Sequence, residues 1–202
     1  DDINVSLIAM PANLVLASTS IFRKMLLEKL DIPFQTTSPD IDEQSRPGEA
    51  PAELVERLSL EKTLAAAKNY PEHLIIGSDQ VACVDDKILG KPGNFANAKS
   101  QLSLASGKNV IFYTGLALHN SLTGKSQSLC EPFEVGFRKL NEAQIERYLK
   151  KEQPYNCAGS FKSEGYGITL FSRLSGDDPN ALIGLPLIRL VELLENEGLA
   201  LP

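Results

Sequence analysis

Strand-like and helix-like segments alternate along this chain, and the alternation restricts its fold more than any other feature. In the first unit, residues 13–17 read N-L-V-L-A, a Ser-Thr-Ser turn follows, and residues 21–30 have a helical pattern. Phe22, Leu26 and Leu30 fall on one face of that predicted helix. Alternation of this kind is typical of α/β proteins.

The rest of the chain continues the same order of elements. Residues 110–119 and 127–138 are predicted to be two long antiparallel strands joined by a short turn. Pro186 suits the first turn of the last predicted helix. The other predicted strands are 34–37, 74–79 and 81–85, and the other predicted helices are 53–68, 94–105, 141–150 and 185–197.

Composition and charge exclude several function classes. The 202 residues, 43% hydrophobic and 23% charged, predict one compact domain or two small lobes that share a core. The net charge of -6 and the pI near 5.0 argue against a nucleic-acid or membrane-surface partner, because no basic tract attracts a polyanion. No apolar run approaches the ~18 to 20 residues of a membrane span.

Cysteine and histidine are too few and too scattered to predict a structural zinc site. Cys83, Cys130 and Cys157 form no CxxC pair, and only His73 and His119 are present beside them. Zinc prefers about four clustered ligands of these types. We therefore expect reduced thiols and a cytoplasmic protein.

The first nine residues, DDINVSLIA, do not resemble a targeting segment. They carry two acids where a secretory signal would carry basic residues. The ordered pattern begins just after Met10, so we expect Met10 to be the native start and residues 1–9 to be a non-native or misannotated extension. A single domain, with two lobes around a cleft, is then expected over residues 10–202.

The first predicted strand ends in small hydroxyl residues directly before a helix. In A-S-T-S-I-F-R, residues 17–23, the turn directs free backbone N–H groups outward and adds the hydroxyls of Ser18 and Ser20 and the charge of Arg23. Together these groups favour an anion such as phosphate. Two plainer interpretations stay open: Ser20 only caps the helix, and Arg23 is a solvated surface charge.

Carboxylates at two separate places are candidates for a shared site. Asp79 ends the apolar run L-I-I-G-S-D, and the C-terminal end of a parallel strand is where α/β sheets place their ligand crevice. P-D-I-D-E, residues 39–43, gathers three more acids. A helix N-terminus would also attract such acids without any catalysis.

Two lysines complete the set of candidate residues. Lys62 falls inside the apolar arc of its predicted helix, so its ammonium is expected to reach a cleft. The alternative is that its aliphatic stem extends to solvent. Lys91 lies between Gly90 and Pro92, an arrangement that a plain turn explains equally well.

Eight short segments occur in the order and spacing of the Maf family. They are A-S-T-S-I-F-R, D-E at 42–43, R-L-S-L-E-K-T-L-A, G-S-D-Q, G-K-P, Y-T-G-L-A, A-G-S-F-K-S-E-G-Y-G and L-I-G-L-P-L. The chain therefore resembles Maf proteins over residues 13–198. The resemblance implies a nucleoside triphosphate pyrophosphatase with a fold like that of inosine triphosphate pyrophosphatases. Such a fold has an elongated mixed β-sheet, flanking helices and a central cleft, and the common assembly is a homodimer.

Within the family, the chain is most similar to the branch that hydrolyses 7-methyl-GTP. Phe22, Gln80 and Glu164 match the aromatic, glutamine and glutamate positions of that branch. The branch usually has tryptophan at Phe22, and the family usually has proline at Ile21. Because 7-methylguanine is cationic, an aromatic face and a carboxylate would both select it, and phenylalanine should weaken this selectivity without reversing it.

The resemblance implies metal-assisted attack of water on the α-phosphorus, with release of pyrophosphate and the nucleoside monophosphate. Asp79 would be the general base, and Glu43 and Asp79 would hold a divalent cation, Mg²⁺ or Mn²⁺. Two alternatives stay open, a dTTP/UTP pyrophosphatase of the same family and a nucleotide-sensing regulator of cell division without turnover. The residues expected to bind the triphosphate are Ser18, Ser20, Arg23, Lys62 and Lys91.

Overall fold

A mixed seven-stranded β-sheet with flanking helices forms the centre of the structure, a computed structural model that describes residues 13–202. The predicted start at Met10 and the predicted extension at residues 1–9 lie outside the described residues. The strands are β1 (Leu14–Ala17), β2 (Phe34–Thr37), β3 (Leu74–Val84), β4 (Lys87–Leu89), β5 (Asn109–Asn120), β6 (Ser126–Phe137) and β7 (Phe171–Ser175). The helices are α1 (Ile21–Glu28), α2 (Pro51–Ala67), α3 (Phe95–Ala105), α4 (Glu142–Glu152), α5 (Pro179–Ile183) and α6 (Leu187–Asn196).

The sheet order is β2-β1-β3-β5-β6-β7, and β4 pairs with β3 outside this path. β1 is parallel to both β2 and β3, whereas the pairs β3–β4, β3–β5, β5–β6 and β6–β7 are antiparallel. The helices that follow β1 and β2 make the parallel crossovers, and the short turn after β5 makes the antiparallel hairpin that its sequence predicts. Of the helices in the described part of the chain, none has the length and hydropathy needed to cross a membrane.

An opening in the sheet arises because β1 is much shorter than β3. The parallel pairing of β1 with β3 stops at Leu16 and Ile76. Pairing of β3 with β4 begins only at Ala82. Successive side chains of a strand point to opposite faces. Asp79 and Gln80 lie on opposite faces of β3, yet both border the opening at the end of β1.

Helix α2 packs directly on the backbone of the two central strands. A Cβ atom built on Gly115 of β5 would lie 2.1 Å from the carbonyl oxygen of Val55, and one built on Gly77 of β3 would lie 2.1 Å from that of Ser59. Only glycine permits such an approach. Lys62, one turn beyond Ser59, is thereby held close to β3.

Two hydrophobic clusters lie toward opposite ends of the long strands. The first cluster joins α3, α4 and the facing halves of β3, β5 and β6, and it includes Phe112 and Leu149. The second cluster joins β1, α1, α6 and the other halves of β3 and β5, and it includes Leu116 and Leu190. Strands β3 and β5 contribute to both clusters.

The structure corrects several predicted elements. Residues 74–79 and 81–85 are one continuous strand, because the antiparallel ladder with β5 runs through the polar pair at its middle. Asp79 therefore lies inside β3 and not at the end of a parallel strand. Pro186 is the N-cap residue of α6 and precedes its first turn. The pattern did not predict β4, β7, α5 or the 3-10 turns at Ala158–Ser160 and Tyr166–Leu170.

Candidate active site

A cavity of about 630 Å³ opens at the end of β1, beside the stretch of β3 that β1 leaves unpaired. Its volume is typical of a small-molecule site, for which the range is about 300 to 1,000 Å³. The structure brings together at this cavity all the site residues singled out from the sequence. They are Ser18, Ser20, Phe22, Arg23, Glu43, Lys62, Asp79, Gln80, Lys91 and Glu164.

Lys62 joins the two acids that are far apart in the chain. Its ammonium lies 2.9 Å from Oδ1 of Asp79 and 3.2 Å from Oε1 of Glu43, and it also donates to the carbonyl of Ser78 at 3.3 Å. Lys62 is only 7% exposed, so its stem does not extend to solvent. Among residues 13–202, Oδ2 of Asp79 has no hydrogen-bond partner, which leaves it available to a molecule in the cavity.

The turn after β1 is organised by its own hydroxyls. Ser18 accepts a hydrogen bond from the backbone N–H of Ser20 at 3.0 Å, and Ser20 accepts one from the backbone N–H of Arg23 at 3.3 Å. Ser20 is therefore the N-cap of α1, as its plainer interpretation predicted, and it also lines the cavity. Phosphate binding by either serine stays a prediction.

Arg23 is half-buried and not a solvated surface charge. Its Nε donates to the carbonyl of Gly184 at 2.8 Å. Burial lowers the pKa of the guanidinium from 12.5, and the carboxylates of Asp79 and Glu43 oppose that shift. A guanidinium with so high an ordinary pKa stays charged, so Arg23 presents a fixed positive charge to the cavity.

The corner between α5 and α6 holds this arginine in place. The carbonyl of Gly184 accepts a second hydrogen bond, from the hydroxyl of Ser78 on β3 at 3.2 Å. Asp178 fixes the corner, because its carboxylate accepts from the backbone N–H of Asn180 at 2.8 Å and of Ile188 at 2.9 Å. Sequence reasoning missed this support, since its parts are short and lack periodicity.

The amide of Gln80 is oriented by three oxygens. Its Nε2 donates to Oγ1 of Thr114 and to the carbonyls of Ala181 and Leu182, each at 3.0 Å. This network assigns the nitrogen to the α5 side. Within the described residues Oε1 has no partner, so Gln80 presents a hydrogen-bond acceptor to the cavity.

The remaining wall of the cavity combines charge and aromatic surface. Phe22 is half-buried, whereas Lys91 and Glu164 are exposed at the rim. Sequence reasoning missed Lys162 and Cys157, which also line the cavity. Lys162 lies in the same F-K-S-E-G segment as Glu164, a signal that was present. Burial raises the pKa of the Cys157 thiol to about 11, so it is a neutral group near neutral pH.

The capacity of the site for metal is limited to two carboxylates. No group of three or more His, Cys, Asp or Glu side chains with metal-binding geometry occurs in the part of the chain that the structure describes. Asp79 and Glu43 nevertheless direct oxygens at the same point, the ammonium of Lys62. Two carboxylates suit Mg²⁺, which binds through one or two of them together with substrate phosphates.

Comparison with known proteins identifies the family. A family model described as Maf-like protein matches residues 13–197. The chain belongs to the Maf family. This confirms the resemblance inferred from the eight short segments.

Two curated relatives agree over nearly the whole Maf chain. A 7-methyl-GTP pyrophosphatase of Colwellia psychrerythraea is 58% identical over 186 residues, which are 92% of this chain and 93% of the relative. A 7-methyl-GTP pyrophosphatase of Pseudomonas syringae pv. tomato is 57% identical over 190 residues, which are 94% of this chain and 99% of the relative.

A solved structure supports the fold of this Maf protein. The Ham1 protein of Staphylococcus aureus superposes with a TM-score of 0.53 and 14% identity, covering 92% of this chain and 99% of the other. At that identity the likeness shows the fold alone. It confirms the predicted α/β architecture of a mixed sheet with flanking helices.

Proposed function

We propose that this Maf protein hydrolyses 7-methyl-GTP to 7-methyl-GMP and diphosphate. The convergence of Lys62, Asp79 and Glu43 beside the arginine of the first turn carries the proposal, because it places a candidate base among groups that bind anions. The relatives named 7-methyl-GTP pyrophosphatase support the choice of substrate. The reaction class is hydrolysis of a phosphoanhydride bond.

Asp79 is the proposed general base. Lys62 occupies its Oδ1, so Oδ2 accepts a proton from, or aligns, the water that attacks the α-phosphorus. The ladder between β3 and β5 runs through Asp79, which pairs with Gly115. A side chain on so rigid an element keeps its position within the small tolerance that water activation requires.

The cations around the cavity bind the triphosphate in this proposal. Arg23 is fixed by Gly184, and Lys91 extends from the rim without a carboxylate partner among residues 13–202. The hydroxyl of Ser18 and the turn before α1 add hydrogen-bond donors. These groups stabilise the negative charge that develops on the phosphates during attack.

A divalent cation is part of the proposal, and the residues present fit one. Glu43 and Asp79 would hold it, with phosphate oxygens of the substrate completing its ligands. When bound, Mg²⁺ or Mn²⁺ would neutralise phosphate charge and lower the pKa of a bound water. The ammonium of Lys62 brings both carboxylates close together, and the cation would use the oxygens that Lys62 leaves free.

Base selection is assigned to the other wall of the cavity. The face of Phe22 and the carboxylate of Glu164 would favour a cationic 7-methylguanine, and Oε1 of Gln80 would accept a hydrogen bond from a donor on the substrate. A neutral guanine gains less from an aromatic face and a carboxylate. The site therefore discriminates by charge as well as shape.

The test is a release assay for diphosphate with Mg²⁺ or Mn²⁺ and four substrates: 7-methyl-GTP, GTP, dTTP and UTP. We expect 7-methyl-GTP to have the highest kcat/KM. A preference for dTTP or UTP would show that the proposed substrate is wrong, while the proposed reaction class would stand. Binding without any release would favour the regulatory alternative and end the enzyme proposal.

Asp79→Asn tests the base directly. We expect turnover to fall by about 10³-fold or more while 7-methyl-GTP still binds, because the amide keeps the shape but accepts no proton. Isothermal titration measures the binding, and Asp85→Asn, an exposed aspartate at the end of β3, is the matched control. Turnover that survives in Asp79→Asn removes Asp79 from this role.

A homodimer in the cytoplasm completes the proposal. The family resemblance supports the dimer, and the three cysteines, which are all free, support a reducing compartment. The low pI supports a nucleotide as partner in place of a nucleic acid. Light scattering after gel filtration measures the assembly.

A further inference from the structure

Helix α4 holds the segment that carries Glu164 at both of its ends. The backbone N–H of Lys162 donates to the hydroxyl of Tyr148 at 3.0 Å, and the backbone N–H of Tyr166 donates to Oε1 of Glu152 at 3.0 Å. Residues four apart, as Tyr148 and Glu152 are, share one face of a helix. One face of α4 therefore fixes the backbone on either side of Glu164.

The segment forms a tight turn in which two backbone N–H groups donate to the carbonyl of Lys162. That carbonyl accepts from the backbone N–H of Gly165 at 3.2 Å and of Gly167 at 3.1 Å. A Cβ atom on Gly167 would lie 2.2 Å from the same carbonyl oxygen, and one on Gly165 would lie 2.4 Å from Oε1 of Glu152. The carboxylate of Glu152 thus reaches the backbone because residue 165 has no side chain.

Helix α4 is a firm support for this segment. Tyr148 and Leu149 are 2% and 0% exposed in the first core cluster. Lys99 of α3 pairs with Glu142 and, at 3.0 Å, with Glu146 on another face of α4. Burial raises the pKa of Tyr148, so its hydroxyl is neutral and accepts the hydrogen bond from the segment.

Glu164 has little support from its own side chain. It is exposed at the cavity, and its carboxylate contacts the hydroxyl of Ser163 at 3.4 Å. No lysine, arginine or histidine among residues 13–202 forms an ion pair with it. The backbone of residues 162–166 therefore sets the position of its Cα atom, from which the side chain reaches the cavity.

We propose that Tyr148 and Glu152 are positioning residues for selection of the base. Neither lines the cavity, so they act through residues 162–166, which place the charge of Glu164 beside the cationic base. This inference rests on the proposed function, because it assigns base selection to Glu164. Both residues lie on α4, outside the sequence motifs whose residues line the cavity.

The kinetic test compares 7-methyl-GTP with GTP in Tyr148→Phe, Glu152→Ala and Glu152→Gln. Loss of one hydrogen bond should raise KM for 7-methyl-GTP and lower its preference over GTP roughly three- to tenfold in Tyr148→Phe and Glu152→Ala. The kcat for GTP should not change. Glu152→Gln should keep the preference, because its side-chain oxygen still accepts from Tyr166.

The glutamine variant separates position from charge. If Glu152→Gln loses the preference as fully as Glu152→Ala, the charge of Glu152 acts on the base and the positioning role is wrong. Glu146→Ala, on the same helix but facing Lys99, is the matched control and should keep the preference. An equal loss in Glu146→Ala would mean that only the stability of α4 matters, which also overturns the inference.

A double variant tests whether the effect passes through Glu164. In a Glu164→Ala background, Tyr148→Phe should have no further effect on the preference. An undiminished effect there contradicts the inference.

Hydrogen exchange gives a readout that does not depend on activity. Exchange at the amide of Lys162 should accelerate in Tyr148→Phe, and exchange at the amide of Tyr166 should accelerate in Glu152→Ala but not in Glu152→Gln. Unchanged exchange overturns the anchoring. Failure of the wild type to prefer 7-methyl-GTP, with exchange as expected, overturns the proposed function instead and leaves the anchoring intact.

Discussion

Lys62 shows how one buried cation organises an acidic site. Its ammonium lies within 3.2 Å of both Glu43 and Asp79, which would otherwise repel each other. Both acids therefore face the same point before any substrate or metal is bound. The position of Lys62 follows from α2, whose backbone approaches β3 closely at Gly77.

Replacing Lys62 by methionine should make this Maf protein depend on divalent cations for stability. The variant leaves two carboxylates without their counter-ion, so its free energy of unfolding in chelator should fall by about 1–2 kcal/mol, less than for a fully buried pair. The Glu43 side chain is 62% exposed, and water screens it. Urea titrations with Mg²⁺ should recover more stability for Lys62→Met than for the wild type.

Lys91→Met is the control for that experiment. Lys91 is exposed and pairs with no carboxylate in residues 13–202, so neither its stability nor its response to Mg²⁺ should differ from the wild type. Equal recovery by Mg²⁺ in all three proteins would show that the two carboxylates gain no affinity for the cation when Lys62 is removed, which contradicts the prediction.

We expect His119 to contribute to the pH dependence of the free energy of unfolding. Burial lowers its pKa below 6.5, and Glu197 opposes the shift. The unfolded chain then binds more protons than the native one, so this contribution is present above pH 6.5 and is lost as the pH falls below it. His119→Gln should lose less free energy of unfolding between about pH 7.5 and 5.5 than the wild type. Parallel pH profiles of the two proteins would contradict this.

Sequence reasoning found the cavity residues because each lies in a short segment with a chemical reason for its position. Ser18 follows a strand directly, Arg23 lies in the first turn of the next helix, and Lys62 interrupts an apolar helix face. Their contacts were not predictable, because Gly184 lies 161 residues from Arg23. Gln80 illustrates the same limit: its partners on α5 belong to a helix too short to show a period.

At the scale of elements, the main error was the division of β3 into two strands. A polar pair inside an apolar run reads as the end of a strand, yet the ladder with β5 continues through Asp79 and Gln80. The polar side chains are satisfied by Lys62 on one face and by Thr114 and α5 on the other. Tertiary contacts that the local pattern lacks therefore decide the strand's length.

Gly115→Ala should disturb both stability and catalysis through α2. A Cβ there would lie 2.1 Å from the carbonyl oxygen of Val55, so the helix must move and carry Lys62 away from Asp79. We expect the free energy of unfolding to fall by about 1–3 kcal/mol, as for other overpacked sites. Denaturant titration measures this, and kcat/KM should fall as well.

Gly90→Ala is the stability control for the glycine substitution. Nothing lies within 4 Å of a Cβ built at Gly90, so the change in unfolding free energy should be within about 0.5 kcal/mol. A Gly115→Ala protein as stable and active as the wild type would show that α2 adjusts without cost.

At the scale of the whole molecule, the cavity lies where two hydrophobic clusters share their strands. β3 places Ile76 in the second cluster and Ala82 in the first, and Asp79 lies between them. β5 spans both clusters in the same way, with Leu116 in one and Phe112 in the other. We propose that residues 13–202 unfold as one unit, because neither cluster is complete without these strands.

Leu190→Ala tests this coupling from the far end of the molecule. Leu190 is fully buried in the second cluster, so the substitution should lower the free energy of unfolding by about 2–5 kcal/mol. Cys83 lies on the half of β3 next to the first cluster, and burial raises the pKa of its thiol, which slows labelling in the native state.

The test uses a background protein in which Cys130→Ser and Cys157→Ser leave Cys83 as the thiol that is labelled. In this background, Leu190→Ala should lower the free energy that protects Cys83 against a thiol reagent. The decrease should equal the decrease in the free energy of global unfolding measured by circular dichroism. Equal losses mean that the two clusters open together, since Cys83 is buried and lies in the ladders that β3 forms with β4 and β5. Two units that unfold separately would give a different result: Cys83 would stay as protected as in the wild type while the circular dichroism signal of the helices is lost. The cleft would then be a boundary between them, and the alignment of Asp79 with Lys62 would depend on how the two units dock.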